Sequence, residues 1–532
     1  MRLLSGSELQ RQKDTMFPEK TVSEFLSGSA RRQPEKMAYA YERVEHTWQQ
    51  VDNRVNQLCR ALVNLGIGKG DVVASCCHDG PVLVELLFAC ARIGAVRVGV
   101  NYRYAPVEAR RLLEHCKARL MIVQDDFRLL APDDGLLIVG CGDGQAAMGE
   151  LADLMAVESL EPVTDAATES DIAQICYTTG STGAPKGAIW THRGLSQAMS
   201  HTLLDLGMTS RDTWLHCLPG AGVPSVLAVW NSVIGFTSVI MKGFDPVAVL
   251  RAIEKYEVTR TVWVPTMLLA VCQAAEAQSF VVSSLTRISY GSAPTPPALI
   301  RRALNTFVGA QFDQWYGSTE GAGGWFTQLT PEDHQRALAG EESLLESCGK
   351  PMHHADLQVV DELGAQLPPG VVGEICVRGP FVMEGYLGDP ELSALTLAGG
   401  WLHTGDMGRV DKEGYVYLVD RKQFMIITGG YNVYPVEVEN VLAGHPSVSE
   451  VCVFGVPDEQ WGEVVQALVV LRLGATPGPE DLRSWCRQHL AAFKVPKSVQ
   501  LQESLLRGPT GKVLKRVIRD QFVAQMRSEK RP

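Results

Sequence analysis

Five consecutive runs read DVVASCC (71–77), PVLVELLFACARIG (81–94), VRVGV (96–100), APVEARRLLEHCKA (105–118) and RLMIVQ (119–124). The first, third and fifth are short and β-branched, as strands are. The second is apolar on every face, which suits a buried helix, and the fourth has helical spacing. Strands separated by helices of this length pair in parallel, with helices covering the sheet. The pattern returns at TSVIM (237–241), VAVLRAIEKY (247–256) and TRTVWV (259–264), with Asp245-Pro246 as a cap followed by proline at the first helical position. Between them, Thr213 to Met241 holds no Asp, Glu, Lys or Arg. Its Pro219, Gly220, Gly222, Pro224, Asn231 and Ser232 break it too often for a membrane span. The reading is a loop, a buried helix and a buried strand.

The chain has 532 residues, enough for several folding units and an ample core without disulfide or metal staples. With 45% hydrophobic and 20% charged residues it is globular rather than disordered or fibrous. A net charge of −11 argues against nucleic acid or an anionic membrane as the main partner. None of the 13 cysteines forms a C-x-x-C pair; Cys176 and Cys452 sit in apolar runs, as buried thiols do. The opening MRLLSGSELQRQKD has no apolar core long enough for a signal peptide. The expected compartment is the reducing cytoplasm.

After about residue 400 the composition changes. GYVYLV (414–419) and QFMIIT (423–428) read as strands joined by a polar pivot, Asp420-Arg421-Lys422. A helix (PVEVENVLAG), two strands (EVCVFGV, VVQALVVLRL) and a helix (PEDLRSWCRQHLAAF) follow, a complete α+β unit. The expected domains are 1–420 and 421–532. The expected fold is α/β: a large N-terminal domain of mixed and parallel sheets flanked by helices, with a small mobile α+β domain after it.

The chemistry concentrates at Tyr177-Thr-Thr-Gly-Ser-Thr-Gly-Ala-Pro-Lys-Gly187, directly after the apolar strand DIAQICY. Glycines bring backbone N–H groups close to an anion, hydroxyls add donors, and Lys186 adds charge. Thr178, Thr179, Gly180, Ser181, Thr182, Gly183 and Lys186 are therefore polyphosphate contacts. The spacing is not that of a P-loop.

In this run the sequence resembles the adenylate-forming superfamily of acyl-CoA synthetases, peptide-synthetase adenylation domains and luciferases. Five further segments resemble that family's motifs, in order. Gly291-Ser292-Ala293-Pro294 looks like its adenine loop. Gln314-Trp315-Tyr316-Gly317-Ser318-Thr319-Glu320 looks like YGxTE. Trp401-Leu-His-Thr-Gly-Asp406 looks like the ribose motif. Asp420-Arg421 with Gly429-Gly430 looks like the hinge and thioester region, and Gly511-Lys512 looks like the catalytic lysine motif.

The resemblance implies roles. Glu320 offers oxygen to Mg²⁺ on the phosphates, with Thr178 as a second ligand. Thr319 donates to the α-phosphate, Tyr316 stacks on adenine, Asp406 accepts from ribose, and Arg421 reaches ribose or phosphate. Lys512 bridges the carboxylate and the α-phosphate. The implied reaction consumes ATP with Mg²⁺ and a small-molecule carboxylic acid, forms acyl-AMP and pyrophosphate, and then transfers the acyl group to CoA. A carrier protein or partner enzyme is the alternative acceptor. A luciferase-like monooxygenase shares the motifs, and a non-catalytic acid- or nucleotide-binding relative is the reading from another class.

Three departures stand out. The hinge has Gln423 and Phe424 where the family favours a charged residue and then an acid. The lysine motif reads Leu506-Arg-Gly-Pro-Thr-Gly-Lys512 instead of PRTxxGK. Ala221 and Gly222 stand where an aromatic residue and a histidine are common. With Gly317, Gly321 and Ala322 also small, the expectation is a pocket for a bulky or long apolar acid. The alternative is that Trp315 or Trp325 fills the space.

Overall fold

The structure is a computed structural model that describes residues 20–132, 135–142, 150–178, 186–421, 424–429, 431–458, 460–508 and 513–529. The chain divides into two compact units, Met1–Leu357 with Val377–Leu402, and Gln358–Cys376 with His403–Pro532.

The opening runs form the centre of a seven-stranded sheet in the first unit. Its order is Gly385–Tyr386, Lys186–Thr191, Ile172–Thr178, Val96–Gly99, Val72–Cys76, Leu120–Gln124 and Leu137–Cys141. Pairing is parallel from Ile172–Thr178 onward and antiparallel at the other edge. The helix Pro81–Ile93 starts at a proline after Gly80 and stops at left-handed Gly94. It is buried almost all round; its one acid, Glu85, accepts from Arg54 at 2.6 Å and from Tyr39 at 2.8 Å.

The second sheet of this unit has nine strands, in the order Lys350–Pro351, Thr327–Leu329, Gln311–Tyr316, Arg287–Gly291, Arg260–Trp263, Thr213–His216, Thr237–Ile240, Met37–Tyr41 and Val44–Thr47. Asp245 caps the helix Pro246–Tyr256 by accepting from Ala248 N at 2.7 Å, as its sequence implied. The uncharged stretch holds more structure than expected. Its start, Thr213–His216, is a strand, and its helical part breaks into Pro224–Val229 and Asn231–Ile234 before the strand Thr237–Ile240.

In the second unit a four-stranded sheet runs Asp356–Val360, Gly373–Arg378, Leu402–Val410, Val416–Arg421. A five-stranded sheet is built around Gly462–Leu471, which pairs antiparallel with Val448–Asp458 and parallel with Ser498–Gln502. Helices Pro435–Ala443 and Pro479–His489 accompany it. The second helix ends at His489, and Ala492–Lys494 forms a separate 3₁₀ turn. The pivot residues Asp420 and Arg421 end a strand inside this unit, and Lys422 lies outside the described residues.

All thirteen cysteines are free and all but Cys77 are buried. Burial pushes the thiols of Cys77, Cys90 and Cys176 up to about 12. Among the described residues no helix is long and apolar enough to cross a membrane.

Burial also pushes His192 and His216 down to about 4. Both stay neutral in the fold while the unfolded chain titrates near 6.5, so the unfolded state takes up protons first as pH falls. The stability they contribute above pH 6.5 is lost between about 6.5 and 4, roughly 3 kcal/mol for each group at the low end. We expect the melting temperature to fall across that window, and His216→Phe to flatten the slope. Equal slopes in the two proteins would rule His216 out.

Candidate active site

Thr178, Gly291 and Tyr316 lie at the carboxyl ends of parallel strands, where ligands of open α/β sheets bind. Gly291 ends Arg287–Gly291 and lies in register with Trp315 on the neighbouring strand. A Cβ at Gly291 would clash with the Trp315 carbonyl oxygen, so only glycine fits. Ser292 follows at φ 69, a strained left-handed conformation for serine, and it and Ala293 are exposed.

Beyond Tyr316 the chain passes Gly317 and Ser318 into a 3₁₀ turn, Thr319–Gly321. Three contacts hold this turn. Trp190 Nε1 donates to the Thr319 carbonyl at 2.9 Å, Met383 N donates to the Glu320 carbonyl at 2.8 Å, and the Tyr386 hydroxyl donates to Glu320 Oε1 at 2.7 Å. Lys186 Nζ stands 5.6 Å from the centre of the Tyr386 ring. Tyr386 thus links the strand that begins at Lys186 to the carboxylate of Glu320. The sequence reading passed over it. Its position in Gly385-Tyr-Leu-Gly-Asp-Pro390, an aromatic residue against a turn signal, was the available clue.

Thr178 and Lys186 face each other in the antiparallel pair that closes the glycine-rich run. Thr179, Gly180, Ser181, Thr182 and Gly183 lie outside the described residues. The Ser318 hydroxyl and the Gln314 amide oxygen are buried without a hydrogen-bond partner, which suits a loop that completes its bonding with a ligand. Tyr316 is buried edge-on against Phe326, ring centres 5.5 Å apart. The Trp315 indole packs among Trp214, Trp230 and Trp325 and donates to Asp313 Oδ1.

The small residues behave differently from the expectation of open space. A Cβ on Gly317 would lie 3.0 Å from Trp325 Cε3, and one on Gly321 2.6 Å from Phe326 Cε1. Ala322 is wholly buried. Protein rings therefore take up the room at Gly317 and Gly321. At Gly222 a Cβ would meet only Pro224 Cδ at 3.9 Å, so room remains at this position.

In the second unit Asp406 is buried and pairs in register with Arg421 across antiparallel strands. Gly405 before it is left-handed, and its N–H donates to Glu374 Oε1 at 3.2 Å. Gly429, at φ 55, donates to the Trp461 carbonyl at 2.8 Å and lies under its ring. Gly430, Gln423 and Lys512 lie outside the described residues. Phe424 has a local role. Its ring centre stands 5.4 Å from Lys515 Nζ, and that ammonium pairs with Glu439 at 2.8 Å. Burial works against the Lys515 charge, but Glu439 and Asp420 outweigh it and hold its pKa above the ordinary lysine value.

Among the described residues no group of three or more His, Cys, Asp or Glu could hold a metal. A Mg²⁺ ion carried mainly by phosphate oxygens and water needs few protein ligands, and the Glu320 carboxylate is an oxygen donor of the kind it takes.

A sequence profile described as "AMP-binding enzyme" matches residues 26–387. The chain belongs to this family. A second profile, "AMP-binding enzyme C-terminal domain", matches residues 437–512. The AMP-binding enzyme is 36% identical over 495 residues to a feruloyl-CoA synthase of Amycolatopsis sp, covering 93% of this chain and 97% of that one. It is 34% identical over 514 residues to the fatty acid–[acyl-carrier-protein] ligase ScoC of Streptomyces coeruleorubidus, covering 94% and 96%. The o-succinylbenzoate CoA synthetase of Bacillus subtilis, solved with its acyl-adenylate intermediate, superposes with a TM-score of 0.84 at 28% identity, covering 95% and 98%.

Removing the hydroxyl that restrains Glu320 isolates its contribution. Tyr386→Phe is expected to lower kcat/KM for adenylation about tenfold, the scale of a hydrogen bond to a charged group, without loss of folding. Pyrophosphate release and a thermal melt check this. An unchanged rate would free Glu320 from dependence on Tyr386.

Proposed function

We propose that this chain is an AMP-forming acid–thiol ligase that activates a bulky or long apolar carboxylic acid with ATP and Mg²⁺ and passes the acyl group to CoA. Glu320, held by Tyr386 beside the strand ends that carry Gly291 and Tyr316, is the observation that carries the reading. A carboxylate is a poor electrophile, so the acid first attacks the α-phosphate of ATP, giving acyl-AMP and pyrophosphate. The thiol of CoA then attacks the activated carbonyl, giving the thioester and AMP.

Within this reading the loop from Tyr316 to Glu320 and the strand end at Gly291 seat adenine and the phosphates. Glu320 and Thr178 would hold Mg²⁺, which would supply positive charge to the phosphates. Asp406 and Arg421 bind the ribose. Lys512 draws together two anions that would otherwise repel. Residues 1–420 supply the ATP and acid sites. Residues 421–532 swing about Asp420–Arg421 between the half-reactions, presenting Lys512 first and the Gly429–Gly430 face second, a gating step. The open Ala221–Gly222 segment supports a wide acid pocket, and the feruloyl and fatty-acid relatives point the same way.

A second reading, transfer of the acyl group to a carrier protein, draws support from the likeness to ScoC.

Mass spectrometry of products from ATP, Mg²⁺ and a pooled acid library, with and without CoA, tests the proposal. We expect acyl-CoA from large apolar acids and little from acetate or propionate. Acyl-AMP that persists despite CoA would favour the carrier protein, and no ATP turnover with any acid would leave a binding protein. Lys512→Ala should slow acyl-AMP formation by about 10²–10³-fold, the range for loss of one charge stabiliser. Gly222→His should narrow the accepted acids toward small ones, and an unchanged preference would remove this segment from the pocket.

A further inference from the structure

The loop Leu218–Pro224 has no large side chain at its centre, where Gly220, Ala221 and Gly222 follow one another. Something else must hold its main chain in place. Two side chains from the other sheet of the unit do so. The Gly220 N–H donates to Asp79 Oδ1 at 2.7 Å, and Arg97 Nη2 donates to the Gly220 carbonyl at 3.2 Å. Asp79 is 4% exposed and Arg97 1%. Arg97 also donates to Ser75 Oγ at 3.1 Å and to Gln174 Oε1 at 3.2 Å. Gln174 Nε2 donates in turn to Ser225 Oγ, just past the loop, at 3.1 Å. The chain is thus fastened at Gly220 and again at Ser225.

The glycines permit this approach. A Cβ on Gly220 would lie 2.5 Å from Asp79 Oδ1 and closer still to Leu83 Cδ2. A Cβ on Gly99, two residues along the strand from Arg97, would clash with the Ala221 carbonyl oxygen. The loop therefore rests directly on the strand end.

A core needs no such pair, since apolar residues of similar size fill space at lower desolvation cost. Burial pushes the Asp79 carboxyl up to about 7 against the opposing pull of Gly220, Arg97 and Arg103. The Nε–H of Arg97 is buried without a partner. Two such costly groups directed at the backbone of one residue, Gly220, point to a demand on position.

We propose that Asp79 and Arg97 are positioning residues that set which acids this enzyme accepts, by fixing the two peptide groups that flank Gly220 and with them the Ala221–Gly222 wall. The inference rests on the reading of that segment as the acid pocket. With no side chain on the wall, its main-chain position is the specificity element. The loops at Gly291 and Tyr316–Glu320 stand on other strands. Arg97 also bonds Gln174 on the strand that ends at Thr178, so the Asp79 variants, whose side chain bonds the Gly220 N–H, separate an effect on the acid from one on the phosphates.

The test compares wild type with Asp79→Asn, Asp79→Leu and Arg97→Met, using pyrophosphate release with an acid that the wild type adenylates. Circular dichroism and melting curves verify folding. Asp79→Leu and Arg97→Met should raise KM for the acid about tenfold or more and change the ranking of acids of different width, with KM for ATP within about twofold. Asp79→Asn keeps an acceptor for the Gly220 N–H and should restore KM for the acid to near the wild-type value. Gly220→Ala leaves both buried groups in place and displaces the loop by its Cβ, so it reports even where the others fail to fold, and the same acid-specific rise is expected. An unchanged acid KM in the folded variants would overturn the inference. A parallel rise of both KM values would also overturn it, by showing general loosening. Absence of acyl-AMP from the wild-type protein would instead overturn the functional reading beneath it.

Discussion

The parallel pairing of Arg287–Gly291 with Gln311–Tyr316 is the constraint on which the candidate site depends. With Gly291 opposite Trp315, the two loops that leave these strands start side by side. The contact admits no Cβ, so the loops cannot separate by even one methyl group without breaking the register. Each loop then holds a non-glycine residue in the left-handed region, Ser292 and Ala322. Such conformations cost about 1–3 kcal/mol and persist only where the surroundings enforce them. Ala322 is wholly buried, in a turn whose Gly317 and Gly321 lie against Trp325 and Phe326, whereas Ser292 is exposed.

Charge inside the protein is placed sparingly and fastened where it occurs. Glu320 has a hydroxyl donor, Glu85 has an arginine and a tyrosine, and Glu439 has a lysine and the Val453 N–H at 2.7 Å. The Glu439–Lys515 pair joins the helix Pro435–Ala443 to the helix that begins at Lys515, and the Phe424 ring lies beside the same ammonium. An aromatic ring there does part of what an acid would do, since its face attracts a cation without bringing a second desolvated charge.

Much of the fold was legible because local signals agreed. Apolar β-branched runs, proline at helix starts and glycine at helix ends located the central strands of both sheets in the first unit. Pattern alone failed where structure was short or continuous in composition, as at Thr213–His216, hidden in an uncharged stretch. The motif residues were legible through resemblance, and the structure brings Gly291, Tyr316, Glu320, Thr178 and Lys186 to strand ends. Their supports were not legible, because the partners are far apart in the chain: 66 positions from Glu320 to Tyr386, 141 from Asp79 to Gly220 and 123 from Arg97 to Gly220. Small residues also mislead a reader of sequence. A glycine signals that something needs its space, and at Gly317 and Gly321 that something is a ring of the protein itself, not a ligand.

The thirteen unpaired cysteines have a consequence for an enzyme whose co-substrate is itself a thiol. A protein thiol with a pKa near 12 is ionised to roughly one part in 10⁵ at neutral pH, and only the thiolate exchanges with disulfides. Burial of twelve of the thirteen adds a steric barrier to the chemical one. Exchange of Cys77, Cys90 and Cys176 with CoA disulfide is thereby suppressed in the folded protein. A chromogenic thiol reagent added to the native enzyme would count CoA and little else, and the same reagent would light up the protein only as it unfolds.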